Sequence, residues 1–111
     1  MSDRTKQDLE PLVNRAKDIR ARYHMLERKH HGTEWSASED ALAFLTDAAL
    51  VARLTMAQQG RWPKSGSTGE IEHKLGECIW WLAVIADRTG VDLEHALEAF
   101  LSTTEQKLGA S

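Results

Sequence analysis

Hydrophobic residues in the first part of the chain recur at spacings of three and four, at Leu9, Leu12, Val13, Ala16, Ile19, Tyr23 and Leu26. This spacing places them on one stripe of an α-helix, with charged residues on the opposite face. The pattern predicts a first helix over residues 9–30 that ends near Gly32, with Pro11 in its first turn, where no backbone donor is needed. Residues 1–8 precede the pattern, and we expect them to be flexible.

A second helix is predicted over residues 37–59. Ser36, followed three residues later by Glu39, has the pattern of a capping box. An Ala- and Leu-rich run follows, with hydrophobic residues at Leu42, Leu45, Ala49, Ala52 and Met56. Asp47 stands out because its neighbours in this run are almost all apolar, and a carboxylate that becomes buried needs a cation or hydrogen-bond donors.

Residues 60–69, GRWPKSGSTG, are predicted to form a loop because they concentrate Gly, Pro, Ser and Thr. They do not fit a phosphate-binding P-loop, which needs Gly-Lys-Ser/Thr and a preceding strand. A third helix is predicted over residues 70–89, ending at Gly90. Its second half is apolar around the whole circumference, so we expect one side to face the core and Trp80 or Trp81 to lie near a subunit contact.

A fourth helix is predicted to begin after Asp92, its N-cap, with hydrophobic residues at Leu93, Ala96, Leu97, Phe100, Leu101 and Leu108. The chain has neither the alternating pattern of strands nor an internal repeat. We therefore predict a single all-α domain over residues 1–111, built as a four-helix bundle. A chain of this size buries only a thin core, so we expect it to assemble as a homodimer or a higher homo-oligomer.

Composition and charge restrict the class of function. The formal net charge of −3 provides no cationic field to attract nucleic acid or acidic lipid. The single cysteine, Cys78, permits no disulfide within the chain and no multi-cysteine metal site. The chain also lacks the apolar run of a secretion signal or a membrane span. We therefore expect a cytoplasmic protein that binds neither nucleic acid nor membrane, with Cys78 as a core thiol.

Acidic side chains on the second and third helices are candidate metal ligands, because bundles hold metals with carboxylates that project inward at i, i+3 or i, i+4 spacing. The candidates are Glu39, Asp40, Asp47, Glu70, Glu72 and Glu77. Glu70, His73 and Glu77 share one face of the third helix, and with Asp47 they could hold Mg²⁺ or Mn²⁺. Alternatively, Glu70 and His73 are surface residues of the first turns, where the helix dipole favours an acidic side chain.

Two longer segments carry a more specific pattern. Residues 35–54, WSASEDALAFLTDAALVARL, form an acidic helix, and residues 74–93, KLGECIWWLAVIADRTGVDL, place an acidic residue before a Trp/Leu-rich run closed by Asp-Arg-Thr-Gly-Val-Asp-Leu. These segments resemble the second helix, and the third helix with its turn, of the MazG-like family of all-α nucleoside-triphosphate pyrophosphohydrolases. The resemblance covers roughly residues 35–108 and implies a MazG-like four-helix bundle.

Enzymes of that family use a Glu-x-x-Glu pair and a Glu-x-x-Asp pair on successive helices to hold magnesium, and they hydrolyse a nucleoside triphosphate to its monophosphate and pyrophosphate. The resemblance aligns Asp47 and Leu50 with the first pair, and Lys74 and Glu77 with the second. It thus implies Asp47 and Glu77 as catalytic and metal-binding residues. Only two of the four positions remain acidic.

The departures from the family pattern affect the chemistry. Leu50 offers magnesium no oxygen, and the Lys74 ammonium is expected to repel a divalent cation while it pairs with Asp47 or Glu77. We therefore expect a depleted metal site in which the lysine replaces the metal, with weak or absent pyrophosphohydrolase activity. The alternative is a non-catalytic helical dimer that serves as a binding or regulatory module.

If a nucleotide binds, Lys74 and Trp62 are the candidate substrate-binding residues. Trp62 in the loop and Trp35 before the second helix could stack on a nucleobase, although burial or lid packing also explains both tryptophans. On the fourth helix, Phe100 and Thr104 align with positions where the family often has a Lys and an Asn that contact phosphate.

Overall fold

The computed structural model describes residues 2–61 and 68–110, and the ordered elements in this part of the chain are all α-helices. They are α1 (Ser2–His31), α2 (Ala37–Gln58), α3 (Thr68–Arg88) and α4 (Leu93–Ala110). The prediction of an all-α fold with four helices is confirmed. No helix among these residues is both long enough and apolar enough to cross a lipid bilayer.

Local sequence signals set several helix ends. The Ser36 hydroxyl accepts a hydrogen bond from the Glu39 backbone N–H at 3.2 Å, and the Glu39 carboxylate accepts one from the Ser36 N–H at 2.9 Å. This is the predicted capping box of α2. At the start of α4, Asp92 accepts a hydrogen bond from the His95 N–H at 3.0 Å. Gly90 has a φ of 75°, a left-handed conformation that suits the glycine after α3.

The start of α1 differs from the prediction. The helix begins at Ser2 and not at residue 9, so Pro11 lies inside it. Hydrophobic spacing could not indicate this earlier start, because the residues before Leu9 are polar apart from Met1. Pro11 costs α1 one internal hydrogen bond, since it has no backbone N–H to donate to the preceding turn.

The connection between α2 and α3 falls where the sequence predicts a loop. α2 ends at Gln58 and α3 begins at Thr68, close to the predicted limits of 60 and 69. Gly60, with a φ of 75°, allows the chain to turn after α2. Residues 62–67, which include Trp62, lie outside the described residues.

α3 is the central helix of the fold and packs against each of the other three helices. The buried apolar side chains in the described part of the chain come mainly from α3, and they are Ala16, Trp81, Ala83, Val84 and Ala86. Several of them are alanines, so α1 and α3 can approach closely. The resulting core is small and is centred on the second half of α3.

The two adjacent tryptophans of α3 both contact other residues of the same chain. Trp81 is buried, and the Trp80 indole N–H donates a hydrogen bond to the Ala16 carbonyl at 3.1 Å. The Trp80 ring also packs against Tyr23, with 5.8 Å between ring centroids. Trp81 is therefore covered by α1 and α2 within the chain, and the expectation that Trp80 or Trp81 lies near a subunit contact stays a prediction.

α2 buries two acidic side chains and exposes a hydrophobic stripe. Asp40 and Asp47 are buried against the rest of the chain, whereas Leu42 and Leu45 are 64% and 63% exposed. The hydrophobic stripe predicted for α2 is thus not part of the core of a single chain.

Candidate functional site

Lys74, Asp47 and Glu77 meet between α2 and α3. The Lys74 ammonium donates a hydrogen bond to Asp47 Oδ1 at 3.1 Å and another to Glu77 Oε1 at 2.9 Å. Lys74 and Glu77 lie one turn apart on the face of α3 that meets α2, while Asp47 lies in the middle of α2. The sequence led us to expect a pairing of Lys74 with Asp47 or Glu77, and the structure shows both contacts.

Trp81 satisfies the second oxygen of Asp47. Its indole N–H donates to Asp47 Oδ2 at 2.9 Å, so each carboxylate oxygen of Asp47 has a donor. The tryptophan lies two turns after Lys74 on the same face of α3, which places both donors along one side of α2. We call Asp47, Lys74, Glu77 and Trp81 the Lys74 centre.

The electrostatics of the Lys74 centre favour the charged lysine. Hydrogen bonds from Lys74 to Glu77 and to Asp47 raise the pKa of the ammonium above its ordinary value of 10.5. Burial, together with the negative charges of Asp47 and Glu77, raises the pKa of the neighbouring Cys78 thiol. Cys78 is therefore a protonated thiol at neutral pH and not an activated nucleophile.

The Lys74 centre does not fit the magnesium ion that the family resemblance implies. Leu50, one turn after Asp47, is an exposed hydrocarbon and supplies no ligand oxygen. The space between Asp47 and Glu77, where a cation would be shared, already holds the Lys74 ammonium. Among the described residues, no group of three or more His, Cys, Asp and Glu side chains has a geometry that could hold a metal ion.

Glu70 and His73, which the sequence suggested as further ligands beside Asp47 and Glu77, are exposed side chains. His73 is 77% exposed, and its Nε2 is 3.9 Å from Glu77 Oε1. Glu70 is exposed in the first turn of α3. The structure thus brings Asp47 and Glu77 together around Lys74, while Glu70 and His73 remain on the surface of the first two turns.

A second charged cluster, buried more deeply, surrounds Asp40. Its carboxylate is fully buried and accepts a hydrogen bond from Arg20 at 2.8 Å and another from Arg88 at 2.9 Å. These arginines belong to α1 and α3, so Asp40 joins three helices. A buried carboxylate between two guanidinium groups is compensated, whereas the loss of either partner leaves a buried charge unpaired.

Glu27 and Trp35 extend the Asp40 cluster. Glu27 accepts hydrogen bonds from Arg20 at 2.8 Å and from the Trp35 backbone N–H at 2.8 Å. Burial opposes ionisation of Glu27, but these hydrogen bonds outweigh it and lower the pKa of its carboxyl below 4.5. Arg88 donates to the Trp35 carbonyl at 2.7 Å, which fixes the connection between α1 and α2.

Stacked aromatic rings connect the Asp40 cluster with the Lys74 centre. The Trp35 and Trp81 rings are nearly parallel, 7° apart, with centroids 6.4 Å apart. The Arg20 guanidinium carbon lies 5.9 Å from the Trp35 ring and 5.7 Å from the Trp81 ring. Trp35 therefore stacks on a side chain of its own protein, as in the packing alternative stated for this tryptophan.

Sequence reasoning missed Arg20 and Arg88, because a single arginine on a helix looks like any solvated surface residue. A signal was nevertheless present in α2. Asp40 and Asp47 are seven residues apart and therefore share one helix face, so each predicts a partner on the facing helices.

A cleft of about 640 Å³ lies away from the Lys74 centre, between α1 and the start of α4. Its charged lining residues are Glu10, Lys17, Asp87, Asp92, Glu94 and Glu98. Five of these six side chains are acidic, so this cleft repels an anionic triphosphate.

No protein-family model, curated protein or solved structure matches the chain. The MazG-like resemblance therefore rests on the two segments at 35–54 and 74–93.

Proposed function

We propose that this chain is a divergent relative of the MazG-like nucleoside-triphosphate pyrophosphohydrolases, in which Lys74 takes the place of the metal. Magnesium-dependent hydrolysis is then weak or absent. The fold serves as a homo-oligomeric helical module for binding or regulation, with a nucleotide as a possible ligand.

One observation carries the proposal, namely the Lys74 ammonium bonded to both Asp47 and Glu77. A divalent cation at this position would have to displace the Lys74 ammonium from both carboxylates. It would also lie beside that positive charge, and the repulsion between them is strong in a partly buried site. The ion pair therefore competes directly with metal binding.

A pyrophosphate-release assay tests the proposal. The wild-type protein is incubated with common and modified nucleoside triphosphates in the presence of Mg²⁺ or Mn²⁺. We expect little or no release above the background of a heat-denatured sample. Robust turnover that Asp47→Ala abolishes would overturn the proposal and identify an active hydrolase.

A gain-of-binding experiment tests the role of Lys74. The double variant Leu50→Glu/Lys74→Glu restores four acidic positions, and we expect it to bind Mn²⁺ in a calorimetric titration where the wild-type protein does not. The matched control is Leu50→Gln/Lys74→Gln, which has side chains of similar volume without the charge. Equal Mn²⁺ binding by the wild-type protein and the double variant would contradict the proposal.

The second candidate function is a pyrophosphohydrolase that remains active. The observation that favours it is the proximity of His73 to Glu77, because a rotation of the exposed imidazole would add a third ligand beside the two carboxylates. Mn²⁺-dependent turnover lost in His73→Ala would support this candidate, with Glu70, Asp47 and Glu77 as the other ligands.

A further inference from the structure

We propose that the exposed face of α2 pairs with the same face of a second copy of this chain, in an antiparallel arrangement centred on Ala49. The inference deepens the proposed function by naming the surface through which the module forms a homodimer, and it rests on that function only for the expectation of a homodimer. We call the residues on this face the α2 stripe, and they are Leu42, Leu45, Ala49, Ala52 and Met56.

α2 carries hydrophobic side chains on its exposed side as well as among its partly buried residues, such as Phe44, Val51 and Leu54. A surface helix in a monomer buries its hydrophobic stripe and exposes its charges. α2 buries Asp40 and Asp47 against the rest of the chain and leaves the α2 stripe on the opposite side. The spacing of the stripe, three and four residues in alternation, is that of a seam between two packed helices.

The charges of α2 leave the stripe uninterrupted. Between residues 41 and 58, Asp47 and Arg53 are the charged residues. Asp47 faces inward, and Arg53 is at the edge of the stripe by its helical position. A second helix can therefore lie along the full length of the α2 stripe without burying an unpaired carboxylate or ammonium.

The exposed surface area of the single chain also favours contact with a second copy. The chain exposes 8475 Å², whereas a compact monomer of 12.5 kDa exposes ~6200 Å². Its radius of gyration is 16.9 Å, compared with ~13 Å for a compact domain of this length. A single chain thus leaves more surface uncovered than a compact monomer does, and a standard interface covers ~800 Å² per partner.

The order of side-chain sizes along the stripe favours the antiparallel arrangement. With the two-fold axis at Ala49, Leu42 and Leu45 of one copy lie against Met56 and Ala52 of the other, so large side chains meet small or flexible ones. The small residue at the centre allows the two backbones to approach closely. Opposed helix dipoles also favour antiparallel neighbours.

Sedimentation equilibrium at micromolar concentration provides the first test. We expect the wild-type protein to be a dimer and Leu45→Glu to raise its dissociation constant roughly a hundredfold or more, because the variant buries an unpaired charge. The matched control is Met25→Glu on α1, whose side chain is also 63% exposed. We expect this control to remain dimeric, and circular dichroism to show that both variants are helical.

Disulfide trapping provides the second test and reads the orientation of the helices. In a Cys78→Ala background, Ala49→Cys is expected to form a cross-linked dimer under mild oxidation, since its two copies face each other within the ~7 Å limit between Cα atoms. Ala52→Cys is expected not to cross-link, because the two copies are offset by ~9 Å along the helix axis. Cross-linking of both variants would show a parallel pair and overturn the proposed arrangement.

The outcomes separate this inference from the proposed function. A monomeric wild-type protein, or a dimer that Leu45→Glu leaves intact, overturns the α2 interface. Neither result affects the Mn²⁺ titration of the Lys74 centre. Conversely, rapid pyrophosphate release would overturn the proposed function and leave the interface as it is.

Discussion

Asp40 and Asp47 lie on one face of α2, yet their surroundings differ in the kind of donor. Asp40 accepts from two arginines and is sealed from solvent, while Asp47 accepts from a lysine and an indole N–H and lies nearer the surface. Guanidinium groups stay charged when buried, whereas a lysine needs hydrogen-bonding carboxylates to do so. The Lys74 centre is therefore the cluster whose charge state depends on its neighbours.

Replacement of Lys74 by Met leaves Asp47 and Glu77 without their shared cation. We expect Lys74→Met to lower the free energy of unfolding by about 1–3 kcal/mol, because two partly buried carboxylates lose a charged donor. Denaturant titration at neutral pH measures this loss. The control is Lys17→Met, whose partner Asp87 is 3.5 Å away with both side chains well exposed. Its expected cost is below about 1 kcal/mol, and equal costs would contradict the argument.

The contribution of Lys74 is expected to disappear at alkaline pH. Its pKa is higher in the folded protein than its ordinary value of 10.5, so the folded state retains the proton more strongly. The stability difference between the wild-type protein and Lys74→Met is thus fully present below 10.5 and shrinks as the pH rises through the folded pKa. Denaturant titrations across this interval measure it, and a constant difference at high pH would rule the ion pair out as its source.

The signals that end or begin a helix involve residues close together in the chain, so they can be recognised in the sequence. The capping box at Ser36, the N-cap at Asp92 and the glycine after α3 all appear where predicted. The α1 start at Ser2 was not readable, because polar residues carry no hydrophobic period. A helix end can thus be predicted where a cap is encoded by neighbouring residues, and it is missed where the only signal is a hydrophobic pattern that begins later.

We expect Ser36→Ala to lower the free energy of unfolding by about 1 kcal/mol, because the Glu39 N–H loses its acceptor. Ser38→Ala is the matched control, since it removes the same hydroxyl two residues later, within the first turn. Its expected effect is within about 0.5 kcal/mol. A control that costs as much as Ser36→Ala would mean that the capping box does not limit the stability of α2.

The sequence did not show which sides of α2 and α3 pack against each other. Hydrophobic spacing identifies a stripe but not what covers it. The structure leaves Leu75, Ile79 and Leu82 of α3 40–59% exposed. The contacts with Asp47 of α2 are made by Lys74 and Trp81. A salt bridge between Asp47 and Lys74, 27 residues apart, depends on the packing of two helices, although the residue types made it a reasonable expectation.

For the whole molecule, the proposed α2 pairing makes folding and association parts of one equilibrium. The thin core of the single chain then gains the area that a second copy covers. A tenfold rise in chain concentration stabilises a folded dimer by about 1.4 kcal/mol relative to unfolded monomers.

We therefore expect the melting temperature of the wild-type protein to rise by roughly 2–6 °C for each tenfold increase in concentration. Leu45→Glu, which is expected to be monomeric, should melt at the same temperature at every concentration. Circular dichroism from low to high micromolar concentration measures both. A melting temperature of the wild-type protein that is independent of concentration would contradict the coupling.

Because its cation is a lysine, the Lys74 centre does not depend on the concentration of metal ions around the protein. A bound divalent ion exchanges with its surroundings and is lost to chelators, whereas Lys74 is part of the polypeptide from the moment of synthesis. The contact between α2 and α3 at Asp47 therefore holds with the same strength in magnesium-rich and magnesium-starved conditions. EDTA should leave this contact, and the heat resistance that depends on it, unchanged.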